Sequence, residues 1–346
     1  MHHFRFLYLL FFLPASCMMF PSCIDALEFS PTEGEPLLVV DGKLTTSSGV
    51  QTLKLTKTAA LGRSSNFPPV IGAQVTLRDD LGGAITYTET EPGTYQFNGS
   101  DFPIRSGRTY VLNIETEGKR YESKPETIPE SAGAEDSFFT VGNQKSVYVY
   151  ASVPIPENQQ QGPFLKWRLN TVFQLGEFFF CYPLDPTNVC YVTGDFGNQL
   201  LPLLDCSLLA RGETARPFVA VKEADRTFGE VMFFNLYMET LTPEAYKYWN
   251  KVSLLLSQSG SFFDAPPGAI RGNMANIDNP EELVLGYFYA APEDTTHVKV
   301  LASDLLPYEI NPYCGAPGFP PFPLPTECCT CTLLPNATLE KPTYWY

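Results

Sequence analysis

The sequence predicts a mainly β protein: an N-terminal immunoglobulin- or transthyretin-like sandwich, followed by a second β-rich domain with one inserted amphipathic helix. Short alternating runs closed by turn residues fill Leu37 to Ser123, longer apolar runs begin at Val147, and one stretch near 243–259 repeats at helical spacing. With 346 residues, 44% of them apolar, the chain can bury about two cores.

The first 22 residues read as a signal peptide. Arg5 precedes an apolar run, Phe6 to Leu13, that ends at Pro14 and is too short to span a bilayer but suits an export signal. A cysteine after small residues in this position is the acylation site of a bacterial lipoprotein. Cys23 is preferred because Ile24, Asp25 and an acidic, proline-containing tether (23–36) follow it; Cys17, after Ala15 and Ser16, is the alternative. Acylation there would tie the exported chain to a bilayer without a transmembrane helix.

The sandwich is placed at 37–130. Leu37 to Val40 runs into an Asp41-Gly42 turn, and Leu53 and Leu55 alternate with polar neighbours. Val75 and Leu77 precede the Asp79-Asp80-Leu81-Gly82-Gly83 turn. Ile85–Thr88, Tyr95–Phe97, Tyr110–Ile114 and Tyr121–Ser123 complete about seven strands. A small, polar boundary at Pro129–Ala134 opens the second domain, 131–346. Its runs at Val147–Tyr150, Leu165–Leu169, Phe178–Phe180 and Val231–Tyr237 suit strands covered on both faces. In the helix, Thr242 suits the N-cap, Pro243 the first turn and Gly260 the stop, while Ala245, Tyr248, Trp249, Val252, Leu255, Leu256 and Ser259 form the apolar stripe. Further strands follow at Leu283–Ala290 and His297–Ala302, and the proline-dense 317–325 reads as a stiff connection.

Little catalytic chemistry is legible. A net charge of -15 argues against nucleic-acid partners. There is no phosphate-loop run, no Gly-x-Ser-x-Gly elbow and no His-Glu-x-x-His. Once the signal is removed His297 is the sole histidine, read as an edge residue rather than a base. Asp79 and Asp80 have Ca²⁺-ligand chemistry, but a tight turn uses acidic residues anyway. No carboxylate pair stands out among the 38 acidic residues, and no cofactor is expected.

Seven cysteines follow Cys23, and in an exported protein they read as disulfides. Cys181, Cys190, Cys314, Cys328 and Cys331 are the candidates, with a Cys181–Cys190 bridge across the proline-containing 182–189 loop. The alternative is a thiolate metal site of Cys314, Cys328, Cys329 and Cys331. Seven being odd, one thiol stays over.

The chain's motifs resemble a family. Cys23-Ile24-Asp25, Leu38–Gly42, Thr52–Thr56, Pro69–Val75 and Pro92–Tyr95 are followed by the Tyr246–Trp249 helix and Pro266-Pro267 with Ile270-Arg271-Gly272-Asn273. Gly286-Tyr287-Phe288, Cys328-x-x-Cys331 and Lys341–Trp345 complete the order. This order is similar to that of the Bacteroidota outer-membrane lipoproteins grouped as unknown-function family 4249. The resemblance implies no catalytic residues; it implies a lipid anchor in the outer membrane, at the cell surface or, alternatively, on the periplasmic face, and a non-enzymatic accessory to a TonB-dependent nutrient-uptake barrel, with an unknown ligand. A surface adhesive protein and a polysaccharide or peptide hydrolase are the alternatives.

Overall fold

The structure, a computed structural model, describes residues 36–59, 67–157, 162–178, 181, 188–196, 201–258, 269–315 and 323–346. Cys17, Cys23, the 182–187 loop, Phe179, Phe180, Gly260, the Pro266-Pro267 pair and most of the proline-dense connection lie outside these residues.

Nine strands come from the first part of the chain: β1 (Leu38–Leu44), β2 (Val50–Lys57), β3 (Gln74–Asp79), β4 (Ala84–Thr86), β5 (Thr88–Glu91), β6 (Thr94–Asn98), β7 (Thr109–Thr116), β8 (Lys119–Ser123) and β9 (Glu126–Thr127). The second part supplies β10 (Glu135–Val141), β11 (Ser146–Pro154), β12 (Phe164–Gly176), β13 (Val189–Asp195), β14 (Leu203–Asp205), β15 (Thr214–Ala215), β16 (Phe218–Glu223) and β17 (Val231–Leu241). Helix α1 (Pro243–Gln258) follows, then β18 (Met274–Asn276), β19 (Leu285–Ala290), β20 (Glu293–Leu301) and β21 (Ala337–Thr338).

The first module packs one sheet, ordered β19-β1-β2-β6-β5, on another, ordered β18-β8-β7-β3-β4 with β9 beside β7. Period-two alternation drives this. Leu53, Leu55, Val75, Leu77, Leu112 and Ile114 point inward and are fully buried, and polar residues between them face outward. The Ile85–Thr88 run breaks into two strands because the chain crosses from one sheet to the other at Tyr87, whose side chain is buried.

Two details correct the sequence reading. Asp41-Gly42 is not a turn, since β1 runs through it to Leu44. Gly42 falls on the inward face, where a Cβ would stand 2.3 Å from Leu53 Cδ1 and 3.2 Å from the Phe288 ring; the glycine is there for space. The boundary at residue 131 also fails to separate the modules in space. β18 and β19, assigned by sequence to the second domain, are strands of the first, and β19 lies parallel to β1 from Val39↔Leu285 to Leu44↔Ala290. Met274, Val284, Phe288 and Ala290 belong to the first module's core.

In the second module β11 carries β10 on one side and β16 and β15 on the other, and a second sheet runs β20-β17-β12-β13-β21 with β14 on β12. Val147, Val149 and Val153 share a core with Trp167, Phe234, Leu236 and Met238. β17 is covered on both faces, as its apolar run predicts. Met232, Phe234, Leu236 and Met238 enter that core, while Phe233 packs on the opposite side with Val172, Tyr191 and Trp345. The Trp345 ring stands 4.6 Å from Phe233 and 4.8 Å from Tyr191, so the C-terminus closes that face. Among the described residues no helix is long and apolar enough to cross a membrane.

The bridges differ from the sequence expectation. Cys181 pairs with Cys329, Cys190 with Cys331 and Cys314 with Cys328. The Cys181–Cys190 bridge is therefore not formed, because the C-terminal segment lies against β13 and presents its own thiols there. All four sulfurs of the alternative metal site are consumed in these bonds. Cys329, which interrupts the Cys328-x-x-Cys331 spacing, is the partner of Cys181. The thiol left over is Cys206, buried at 1% exposure and pushed up to about 12 by that burial, with the Asp205 charge adding to it.

Candidate functional site

Where the modules meet, β9, the N-terminus of α1, the strand entry at 271–273 and Tyr287 of β19 enclose a cleft of about 400 Å³. Its position follows from local chemistry. Thr242 caps the helix, accepting from Ala245 N at 3.2 Å through Oγ1 and from Tyr246 N through its carbonyl, and Pro243 occupies the first turn, where no N–H is needed. The helix stripe then packs across both modules. The Tyr248 ring lies tilted against Tyr287 at 4.5 Å, Trp249 meets Tyr289 edge-on at 5.6 Å and Tyr246 lies tilted against Phe164 at 5.0 Å. The C-terminal part of the expected stripe departs from this, because Leu256 is 48% exposed.

The rear wall depends on two glycines. A Cβ on Gly272 would stand 1.8 Å from Gly286 O, and one on Gly286, whose φ is +80°, would stand 2.0 Å from Val40 O. Three backbone segments therefore stack with no room for side chains. The close crossing brings in Asn273. Its Nδ2 donates to Phe288 O at 2.6 Å and to Glu126 Oε1 at 2.9 Å, and its Oδ1 accepts from Phe288 N at 3.0 Å. Asn273 thus extends the β19 backbone pairing through its side chain and delivers a hydrogen bond into the cleft. Tyr287 donates its hydroxyl to the same Glu126 oxygen at 3.2 Å. The Ile270–Asn273 and Gly286–Phe288 motifs, apart in sequence, make one structural unit.

Glu126 is 4% exposed. Burial pushes its carboxyl up to about 7, with the charge of Glu244 adding, while the hydrogen bonds from Tyr287, Asn273 and Thr242 oppose the rise. In contrast, the lip is cationic, formed by Lys124 and Arg271 on one side and Lys247 and Lys251 of α1 on the other. Four of the fourteen lining residues are basic, against 23 in 346 for the whole chain, so the cleft concentrates the charge the rest of the surface lacks. The apolar part of the lining is Pro125, Pro243, Tyr248 and Tyr287. The sequence reading missed all of these ionisable residues. Only the Lys247/Lys251 spacing of four, which puts both on one helix face, was readable beforehand.

Behind the cleft a buried ionic cluster ties the modules together. Lys43 of β1 donates to Glu239 Oε1 at 2.9 Å and to Glu293 Oε2 at 2.7 Å, and Lys166 of β12 lies 2.8 Å from Glu239 Oε2 and 2.8 Å from the Tyr289 hydroxyl. Tyr289 in turn donates to Glu239 at 2.9 Å, and the Lys166 ammonium sits 4.4 Å from the centre of the Trp249 ring. Burial alone would raise the Glu239 carboxyl, but the two lysines override it and hold it down to about 2.

The other candidates are spent elsewhere. His297 lies mid-strand in β20 with Nδ1 2.8 Å from Asn235 Oδ1 and its ring stacked 3.9 Å from Tyr344; burial lowers its pKa. Arg108 bonds Asp79 at 2.8 Å and Asp80 at 2.5 Å, and Asp79 Oδ1 also accepts from Leu81 N and Gly83 N, so these carboxylates build the turn. Among the described residues no group of three or more His, Cys, Asp and Glu side chains is placed to hold a metal ion.

The sequence profile of one family, described as Domain of unknown function (DUF4249), matches residues 24–297, which includes every residue of the cleft. No curated protein matches the chain. Among solved structures, the Yersinia pseudotuberculosis adhesin InvE aligns at 17% identity and a TM-score of 0.18, over 59% of this chain and 55% of that one. A pullulanase from Anoxybacillus sp. LM18-11, complexed with maltotriose, aligns at 14% identity and 0.18 over 59% and 24%. The collagen adhesin of S. aureus aligns at 7% identity and 0.17 over 77% and 96%. The chain spans about half of the first and a quarter of the second, and scores this low establish neither a shared fold nor a shared role.

Proposed function

We propose, for a chain that belongs to the DUF4249 family of unknown function, a non-enzymatic role: a lipid-anchored outer-membrane protein that holds a small ligand in the inter-module cleft and passes it to a TonB-dependent barrel. The observation that carries the binding part is the cleft itself, with walls from both modules and a cationic lip around one buried carboxyl. Its polar groups are arranged to hold. Glu126 Oε1 already takes two hydrogen bonds, and His297 and Cys206 do not line the cleft. The export signal and Cys23, together with the family resemblance, support the anchored and barrel-associated part.

Affinity purification of the full-length protein from solubilised outer membranes tests this reading. It expects an integral barrel protein to co-purify in stoichiometric amount; recovery of the chain alone contradicts the accessory role. One observation favours hydrolysis instead: Glu126, raised to about 7, shares its cleft with a second carboxylate, Glu244. That reading requires turnover of a polysaccharide or peptide by the purified protein, abolished in both Glu126→Gln and Glu244→Gln.

A further inference from the structure

We infer that the cleft selects a carboxylate-bearing small molecule, its negative charge met by Lys247, Lys251, Lys124 and Arg271 and its less polar body lying against Tyr248 and Pro243. This deepens the binding reading above and rests on it.

Three observations converge. The protein carries a net charge of -15, so an anion is repelled by most of its surface and needs a local reversal of sign to bind at all. The cleft supplies that reversal, with four cationic side chains against Glu126 and Glu244. Among the described residues none of the four cationic side chains has a hydrogen-bond partner or an ion pair, whereas Lys43, Lys57 and Lys166 outside the cleft are each paired with a carboxylate. Unpaired cations that face one cavity from three separate elements suit an anion that fills it.

Glu126 sets the kind of anion. Its Oε1 is held by Asn273 and Tyr287 and its carboxyl takes a further hydrogen bond from Thr242, so in the protonated state it is a positioned group that still has its own O–H to give a bound acceptor. A neutral carboxyl donating to a ligand carboxylate is a matched pair, and an ionised one is a like-charge clash. The other titratable groups lining the cleft with Glu126 are Glu244, Lys247, Tyr248 and Lys251 from α1, Arg271 from the strand entry, Tyr287 from β19 and Lys124 beside it.

The experiment is calorimetric titration of the full mature chain with two acidic probes, a galacturonate tetramer and an Asp/Glu tetrapeptide, each beside its neutral counterpart, a galactose tetramer and an Asn/Gln tetrapeptide. At pH 6 one acidic probe is expected to bind about tenfold or more tighter than its neutral counterpart; which of the two does so identifies a saccharide or a peptide source. Lys247→Glu with Arg271→Glu is expected to weaken that binding by at least about tenfold without shifting the melting temperature of the unliganded protein. Raising the pH to 8.5 is expected to weaken wild-type binding by about tenfold, the equivalent of one pKa unit, and Glu126→Gln is expected to bind independently of pH. The inference is overturned if neither acidic probe exceeds its neutral counterpart, if inorganic phosphate binds as tightly as the better probe, or if the charge-reversed variant binds unchanged. Failure here with a co-purifying barrel removes the ligand class alone, whereas acidic binding without a barrel removes the delivery role alone.

Discussion

Two buried carboxylates respond to pH in opposite directions. In the folded chain Glu126 keeps its proton up to about 7, whereas the unfolded chain loses it near 4.5. Between those values the folded state holds a proton that the unfolded state has released, so stability falls as pH rises through this window and the cost is complete above it. The shift corresponds to at most about 3 kcal/mol. Glu126→Gln, which mimics the protonated group, is expected to melt progressively higher than wild type from pH 4.5 to 7 and by a constant margin beyond. Glu239 has the reverse sign. Held down to about 2, it stabilises the fold fully above about 4.5, and that contribution disappears as pH falls towards 2. Replacing Glu239 by Gln leaves Lys166 buried without its counter-charge and Lys43 with Glu293 alone, and denaturant unfolding is expected to show a loss of about 3–5 kcal/mol. Neither residue was distinguishable in the sequence. Both are single acids among 38, and what shifts each comes from distant chain: burial at a site shared with Tyr287, 161 positions away, for Glu126, and the charges of Lys166 and Lys43, the latter 196 positions away, for Glu239.

At the scale of elements, local patterns were legible and distant pairings were not. Alternation located β1, β2, β3, β6, β7 and β8, and capping chemistry placed α1 from Thr242 onwards, because those signals reside in neighbouring residues. The attachment of β19 to β1 was invisible, since a parallel partner about 250 positions away leaves no local mark and the strand's own sequence fits either module. What holds it there is the glycine pair, which the sequence shows only inside two separate motifs and which proves to be a backbone crossing. Gly272→Ala would force a Cβ against the Gly286 carbonyl, and it is expected to destabilise the protein by more than about 2 kcal/mol in denaturant titration while Gly82→Ala, in an open turn, costs less. For the same reason a fragment spanning 36–131 is expected to lack a cooperative melt. It omits Met274 and Phe288, and loss of a buried Phe side chain alone costs about 3–5 kcal/mol.

Across the whole molecule, the C-terminal segment fastens the second module. Two of its cysteines reach back 148 and 141 residues, to Cys181 and Cys190. Closing a loop of that length restricts the unfolded chain by about 4–5 kcal/mol on the chain-entropy account, so reduction is expected to lower the melting temperature sharply. Among the described residues a thiol reagent should find nothing to label in the native protein and one residue, Cys206, in the unfolded unreduced one. Disulfide formation was legible from the expected export and the cysteine number; the pairing was not, because it depends on where the tail docks. The seam between the modules, with its ionic cluster behind and its cationic cleft in front, has the same origin. Strands from both ends of the sequence must be in place before it exists. Native mass spectrometry of the protein isolated under non-denaturing conditions from its own cells tests the account most directly. The account expects a wild-type chain carrying a small-molecule adduct in complex with a barrel protein, with the adduct missing from the Lys247→Glu/Arg271→Glu variant; a bare, unassociated wild-type chain would contradict it.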